Sequence, residues 1–304
     1  MKHLLSDFDL SREETLKVLE RSAQIKSCPE DYSGDLENRT LLMLFELPSL
    51  RTRVSFEAGM TQLGGHAIFY GVEEGGFTRG ETLEDGVKVL SRYGDGIMAR
   101  VLHHPDMVRI GEAATVPVIN GMTDRFHPCQ NLADLLTIQE KKGDLQGLKI
   151  AYVGDGACNT ANSTMIGCTK VGMKVTMACP DDPEYSPDEE IKSRVLESGG
   201  ELRVTNDPEE GVRDADVVYT DTWISAGMEE EKQRRLEVFP PFQVNTNLLE
   251  HAEQDCIVMH CMPVHPGQEL TREVMDSERA VLIDQAENRL HAQKGLLHKL
   301  LLEW

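Results

Sequence analysis

Short unbroken apolar runs alternate along this chain with stretches in which apolar residues recur every three or four positions. The opening stretch is of the second kind. Ser11-Arg12-Glu13-Glu14 reads as a capping box, and Leu16, Leu19 and Ala23 follow at helical spacing, which predicts an amphipathic helix. Leu41–Phe45 is a continuous run, as expected of a strand buried on both faces of a parallel sheet. Similar strands are predicted at Ala67–Tyr70, Ile97–Ala99 and Val116–Ile119, with a helix at Thr82–Arg92 between them. A helix begun near Asn131 ends in the Gly and charge cluster Lys141–Gly147, and a second alternating set starts at Ile150–Val153. Its later strands are predicted at Val175–Ala178, Val217–Tyr219, Ile257–Met259 and Val281–Ile283, before a long amphipathic helix at about Gln285–Leu302. The pattern implies an α/β protein of two domains, each an open parallel sheet flanked by helices. We place the first domain at 1–135 and the second at 136–284, with the helix 285–304 packing back on the first.

Composition narrows the class. A chain of 304 residues with 40% hydrophobic content can bury a full core, which excludes disordered and miniature scaffolds. No apolar run approaches the roughly 18 to 20 residues needed to span a bilayer, and Met1–Leu10 does not read as a targeting segment. A cytoplasmic protein is expected. Seven cysteines without a CxxC pair read as free thiols in a reducing compartment. The net charge of −21, from 52 acids against 31 bases, would repel a nucleic-acid backbone, so no nucleic acid or membrane partner is expected. Any anionic substrate must then be captured locally.

In open α/β sheets ligands bind beyond the carboxyl ends of the strands, so the residues just after each apolar run carry the chemistry. After Leu41–Phe45 comes Pro48-Ser49-Leu50-Arg51-Thr52-Arg53 at a helix start, where hydroxyls, guanidiniums and backbone N–H groups suit a phosphate; an ordinary basic helix start is the alternative. Ile97–Ala99 leads to Arg100, and Val116–Ile119 leads through a loop to His127-Pro128-Cys129-Gln130, a set that could polarise a carbonyl and hold its amino substituent. A lone histidine is more often a structural hydrogen-bonder. In the second domain Gly154-Asp155-Gly156-Ala157-Cys158-Asn159 fails both the dinucleotide fingerprint and the Walker loop, leaving Asn159 as an amide at a helix start. Asp221-Thr222-Trp223-Ile224-Ser225-Ala226-Gly227 could bind an ammonium through Asp221 and a carboxylate through the turn, or simply cap a turn. His260-Cys261-Met262-Pro263 with His265 offers three ligands without a second spaced pair, so no metal is assigned, and Cys261 reads as a nucleophile or as a thiol that orients an amine.

Taken together these segments resemble the aspartate and ornithine carbamoyltransferase family, over essentially the whole chain. Phe45–Glu57, FELPSLRTRVSFE, is similar to the family's carbamoyl-phosphate loop, usually Ser-Thr-Arg-Thr-Arg. His127–Gln130 is similar to its HPxQ motif, Asp221–Gly227 to DxWxSMG, His260–Pro263 to HCLP and Glu287-Asn288-Arg289 to ENR.

The resemblance implies carbamoyl transfer from carbamoyl phosphate to the side-chain amine of L-ornithine, with no cofactor. By matching position, Ser49, Leu50 through its backbone, Arg51 and Thr52 would bind phosphate, and Arg100 would bridge phosphate and carbonyl. His127 and Arg289 would take the carbonyl oxygen and Gln130 the carbamoyl NH2. Asn159, Asp221, Ser225 and its neighbour Ala226 would hold the amino-acid head, while Cys261 and the Met262 carbonyl orient the attacking amine. Arg100, His127, Cys261 and Arg289 are thus the expected catalytic groups. The family also implies a homotrimer or a multiple of trimers, each subunit lending a loop, here about Gly71–Gly80, to its neighbour. Three positions depart from the pattern: Leu50 replaces a Thr, Ala226 replaces a Met, and the lent loop has Arg79 but no Gln. Putrescine or another amine is the alternative acceptor.

Overall fold

The computed structural model describes residues 2–72, 80–224 and 229–303. The chain divides into two compact units, one of residues Met1–Leu136 with Glu287–Trp304 and one of Thr137–Ala286. Nine strands and twelve α-helices are found among the described residues. The strands are β1 (Thr40–Phe45), β2 (His66–Gly71), β3 (Gly96–Arg100), β4 (Val118–Met122), β5 (Lys149–Val153), β6 (Lys174–Ala178), β7 (Glu201–Thr205), β8 (Val217–Tyr219) and β9 (Ile257–Met259). The helices are α1 (Arg12–Ser27), α2 (Leu50–Gln62), α3 (Leu83–Leu90), α4 (His104–Ala113), α5 (Pro128–Lys142), α6 (Asn159–Lys170), α7 (Glu189–Glu197), α8 (Pro208–Val212), α9 (Lys232–Val238), α10 (Thr246–Leu249), α11 (Arg272–Met275) and α12 (Leu282–Leu302).

Both sheets are parallel. The first has the order β2-β1-β3-β4 and the second β7-β6-β5-β8-β9. Strand order reverses direction between β1 and β3 in one sheet and between β5 and β8 in the other. Those switch points open crevices at the carboxyl ends of the strands, because the following connections leave on opposite faces. The segments after β1, β3, β5 and β8 are therefore the ones topology offers to ligands.

Why these residues make these strands is plain in β1, where Leu41, Leu42, Met43, Leu44 and Phe45 are all buried, as a strand covered by helices on both faces requires. The edge strand β7 obeys a different rule. Its residues Glu-Leu-Arg-Val-Thr are exposed or half-buried, so no apolar run marks it, and the sequence pattern passes over it. The strand expected at Val281–Ile283 is not one. Ala280 makes an isolated bridge to Val258, α12 already begins at Leu282, and Ile283 is 71% exposed. Three apolar residues fit a buried strand or the first turn of an amphipathic helix equally well, and the helix that follows decides between them. Helix α5 likewise starts at Pro128 rather than near Asn131, since proline is favoured in a first helical turn.

From Glu287 onward α12 packs within the first unit. Its Gly295 meets α1 so closely that a Cβ there would lie 2.1 Å from Ser22 Oγ and 2.9 Å from Val18 O, so glycine is what allows the two backbones to approach. Lys26 Nζ donates to Asn288 Oδ1 at 2.8 Å, and Leu296, Leu297 and Leu300 are buried beneath.

Candidate active site

In the first unit the loop after β1 turns directly into α2. Ser49 is the N-cap: its Oγ accepts from Thr52 N at 3.3 Å and donates to Thr52 Oγ1 at 3.1 Å. Capping of this kind uses the side chain to satisfy one of the first N–H groups, while the remaining N–H groups and the helix dipole favour an anion at that end. Leu50 projects outward, 76% exposed, so a bulky aliphatic side chain is accommodated there while its backbone opens the first turn of α2.

Arg100 ends β3, where the register to β4 shifts between Ala99 and Arg100. Such an irregularity turns a strand-end side chain away from the regular pleat. His127 precedes α5 and is buried. Burial first, and then the charges of Arg289, Arg100 and Arg51, hold its pKa well below 6.5. The imidazole is accordingly neutral at pH 7, with one N–H to give. The guanidinium charges of Arg289, Arg100 and Arg51 thus all act on one buried imidazole.

Arg289, on α12 and 3% exposed, completes the cluster. Its Nη1 donates to Gln130 Oε1 at 2.8 Å and its Nη2 to Thr52 Oγ1 at 3.2 Å. Gln130 in turn gives Nε2 to Asp134 Oδ1 at 2.8 Å. Asp134, buried and one helical turn beyond Gln130, carries no motif of its own; the spacing of four on a helix is the signal that the sequence offers for it. It pins the amide so that its oxygen faces the arginine.

The second unit has a site of other chemistry. Gly154 closes β5 with φ of +132°, a value that side-chain-bearing residues rarely adopt, and the chain turns there into Asp155. Asn159 opens α6, with Cys158 as N-cap accepting from Ala161 N at 3.4 Å and meeting Tyr152 Oη at 3.0 Å. Asp221 follows β8 and Cys261 follows β9. Cys261 Sγ donates to Asp221 Oδ1 at 3.0 Å, and the same oxygen accepts from Thr222 N at 2.8 Å. A carboxylate and a thiol are thus held side by side at neighbouring strand ends. Ser225 and Ala226, expected in the amino-acid site, lie outside the described residues, as does Arg79.

Asp221, His260 and Cys261 bring three ligand atoms within 4.8 Å of one another. Both nitrogens of His260 are already engaged, Nδ1 by Met262 N at 2.8 Å and Nε2 by Glu269 Oε1 at 3.2 Å. A metal ion would have to displace one of them. His265, grouped with these residues by sequence, lies instead on Thr222 Oγ1 at 3.1 Å. Sequence reading also missed the buried pair of Asp155 with Arg235, 2.6 Å apart; Arg235 sits in a charge-rich stretch that reads as a solvated helix face.

Profiles of known families match both halves: one described as the carbamoyl-P binding domain of aspartate/ornithine carbamoyltransferase over residues 2–140, the other as its Asp/Orn binding domain over 146–300. The chain belongs to the aspartate/ornithine carbamoyltransferase family. Ornithine carbamoyltransferase of Archaeoglobus fulgidus is 47% identical over 305 residues, covering 99% of this chain and 98% of that one. The enzyme of Pyrococcus furiosus named as anabolic is 48% identical, over 97% and 95% of the two chains. The solved structure of ornithine carbamoyltransferase from Pyrococcus furiosus superposes with a TM-score of 0.92 over 98% of this chain and 96% of that one. The ornithine transcarbamoylase of Giardia lamblia gives the same TM-score at 35% identity, over 100% and 99%. This member of the family is a carbamoyltransferase.

Proposed function

We infer that the protein transfers the carbamoyl group of carbamoyl phosphate to the side-chain amine of L-ornithine, giving L-citrulline and phosphate. The observation that carries this reading is the gathering of Arg51, Arg100 and Arg289 about a buried, neutral His127 beside the N-terminus of α2. Such a place suits a doubly charged phosphate next to a carbonyl. Ser49, the Leu50 backbone, Arg51 and Thr52 hold the phosphate, and Arg100 spans phosphate and carbonyl. The His127 N–H and Arg289 polarise the carbonyl oxygen, and Gln130 takes the carbamoyl NH2. Asn159, Asp221 and the Ser225-Ala226 turn receive the amino-acid head, while Cys261 and the Met262 carbonyl orient the amine.

Little acid-base machinery is required. The neutral amine adds to the carbamoyl carbon, the C–O bond to phosphate breaks, phosphate departs with its electron pair, and the amine nitrogen releases a proton. Each fixed donor aimed at the developing oxyanion contributes about 3 to 4 kcal/mol in comparable sites, and holding both reactants in line supplies much of the remainder.

A cytoplasmic homotrimer, or a multiple of trimers, is part of the proposal. All seven cysteines are free thiols, as suits a reducing compartment. The edge strand β2 exposes Ile68, Phe69 and Tyr70, and α2, which packs on β2, exposes Leu50 and Val54; apolar surface of this sort is what subunits cover.

The test uses reciprocal variants. Arg51→Ala should cut activity by about two to three orders of magnitude through loss of a charge-assisted phosphate contact, with ornithine-site binding intact. Asp221→Asn should weaken norvaline, an ornithine analogue, far more than carbamoyl phosphate. Normal norvaline binding to Asp221→Asn loaded with carbamoyl phosphate, or faster native turnover of putrescine or aspartate than of ornithine, refutes the assignment.

A further inference from the structure

We propose that Glu269 and His265 are positioning residues that set the Asp221 to Cys261 spacing, and so the placement of the attacking amine; the proposal rests on the reading that Asp221 holds the head of ornithine and Cys261 orients its side-chain amine. Glu269 is wholly buried. Its Oε1 accepts from His260 Nε2 at 3.2 Å and from the His265 backbone N–H at 2.6 Å, so one oxygen ties the two ends of the loop after β9.

The proton on His260 follows from its partners. Met262 N donates to Nδ1 at 2.8 Å, so Nδ1 carries no hydrogen and the ring proton sits on Nε2, aimed at Glu269. The carboxylate therefore orients the ring that in turn holds the Met262 amide, one residue beyond Cys261. From His265 the connection runs onward: its Nδ1 lies 3.1 Å from Thr222 Oγ1, Thr222 N donates to Asp221 Oδ1 at 2.8 Å, and Cys261 Sγ donates to that same oxygen at 3.0 Å. The circuit closes on itself. Asp221, Cys261, His260, Glu269, His265 and Thr222 join the loops after β8 and β9 into one ring of contacts.

A ring of this kind has a mechanical consequence. Cutting it at Glu269 leaves the buried His260 Nε2–H and the His265 N–H without their acceptor, and the loops are free to part. A misplacement of about 1 Å between reacting groups can cost on the order of a hundredfold in rate.

The experiment compares Glu269→Leu, Glu269→Gln and His265→Ala with native enzyme, and with Asp221→Asn as reference, in the full-length protein. Read out are kcat, KM for each substrate, norvaline binding in the presence of carbamoyl phosphate, and the alkylation rate of Cys261 by peptide mapping. Glu269→Leu should raise the ornithine KM and lower kcat, each about tenfold or more, with the carbamoyl-phosphate KM within about twofold. Its Cys261 alkylation rate should also shift severalfold. Glu269→Gln keeps an acceptor where Oε1 stands and should recover to within about threefold of native. His265→Ala breaks the ring at a half-exposed residue that does not threaten folding, and should raise the ornithine KM by about three- to tenfold.

If Glu269→Leu fails to fold, His265→Ala and Glu269→Gln decide. Native ornithine kinetics in His265→Ala, or a Glu269→Gln as impaired as Glu269→Leu, overturns the positioning role. Loss of norvaline binding in Asp221→Asn without any in Glu269→Leu or His265→Ala overturns this proposal alone. Normal norvaline binding in Asp221→Asn instead overturns the reading beneath it, that Asp221 holds the head of ornithine.

Discussion

Replacing Arg235 by methionine tests how the second unit keeps charge in its interior. The Arg235 and Asp155 side chains are each 5% exposed and 2.6 Å apart, and the guanidinium also donates to Trp223 O at 3.1 Å and to Glu231 at 2.8 Å. Methionine preserves most of the aliphatic stem and removes the fork. The contact to Glu231, whose side chain is 51% exposed, counts for little because water screens it. The loss is dominated by Asp155, left ionised and buried, which costs about 3 to 5 kcal/mol out of a total stability of about 5 to 15 kcal/mol. Burial already raises the Asp155 pKa above 3.8, against the pull of Arg235. A close ion pair would ordinarily lower it, so here desolvation outweighs the partner and the pair adds little net stability. Arg235→Met combined with Asp155→Leu should therefore regain most of the deficit.

The pH dependence has a definite sign. Without Arg235 the Asp155 carboxyl rises further, so the folded state binds a proton more readily than the unfolded chain. The deficit relative to the native protein is then full above the variant's raised pKa and shrinks as pH falls toward the native folded pKa, itself above 3.8, where both folded proteins carry the proton. Urea unfolding followed by the fluorescence of the buried Trp223 reports on this unit. A loss under about 1 kcal/mol at pH 7, a deficit that widens toward acid, or a double variant no better than the single one would refute the reasoning.

Two further outcomes are expected. The folded state refuses His127 a proton that the unfolded chain accepts below 6.5, so native stability should fall as pH drops through that value, and His127→Asn should show a shallower acid slope in denaturant titrations; equal slopes count against a neutral His127. In sedimentation the native enzyme should run as a trimer or a multiple of one, and Ile68→Lys with Tyr70→Lys on the exposed edge of β2 should shift it toward monomer; a native monomer active at nanomolar concentration would rule out shared sites.

The sequence by itself determined the alternation of strands and helices and the location of the strand-end loops. Buried parallel strands such as β1 must be apolar throughout, and anion-binding helix starts need hydroxyls, guanidiniums and free N–H groups in adjacent positions. Local rules of that kind are written in consecutive residues. They fail where a strand is only half covered, as in Glu201–Thr205, and where three apolar residues suit either element, as at Val281–Ile283. Tertiary structure alone decided the rest: the strand orders that put the segments after β1, β3, β5 and β8 at switch points, the reach of Arg289 to Gln130 and Thr52 from far along the chain, and the placing of Cys261 on Asp221. Those contacts join residues forty or more positions apart. No local spacing encodes them, because they follow from which strands pair and how closely helices such as α1 and α12 can approach.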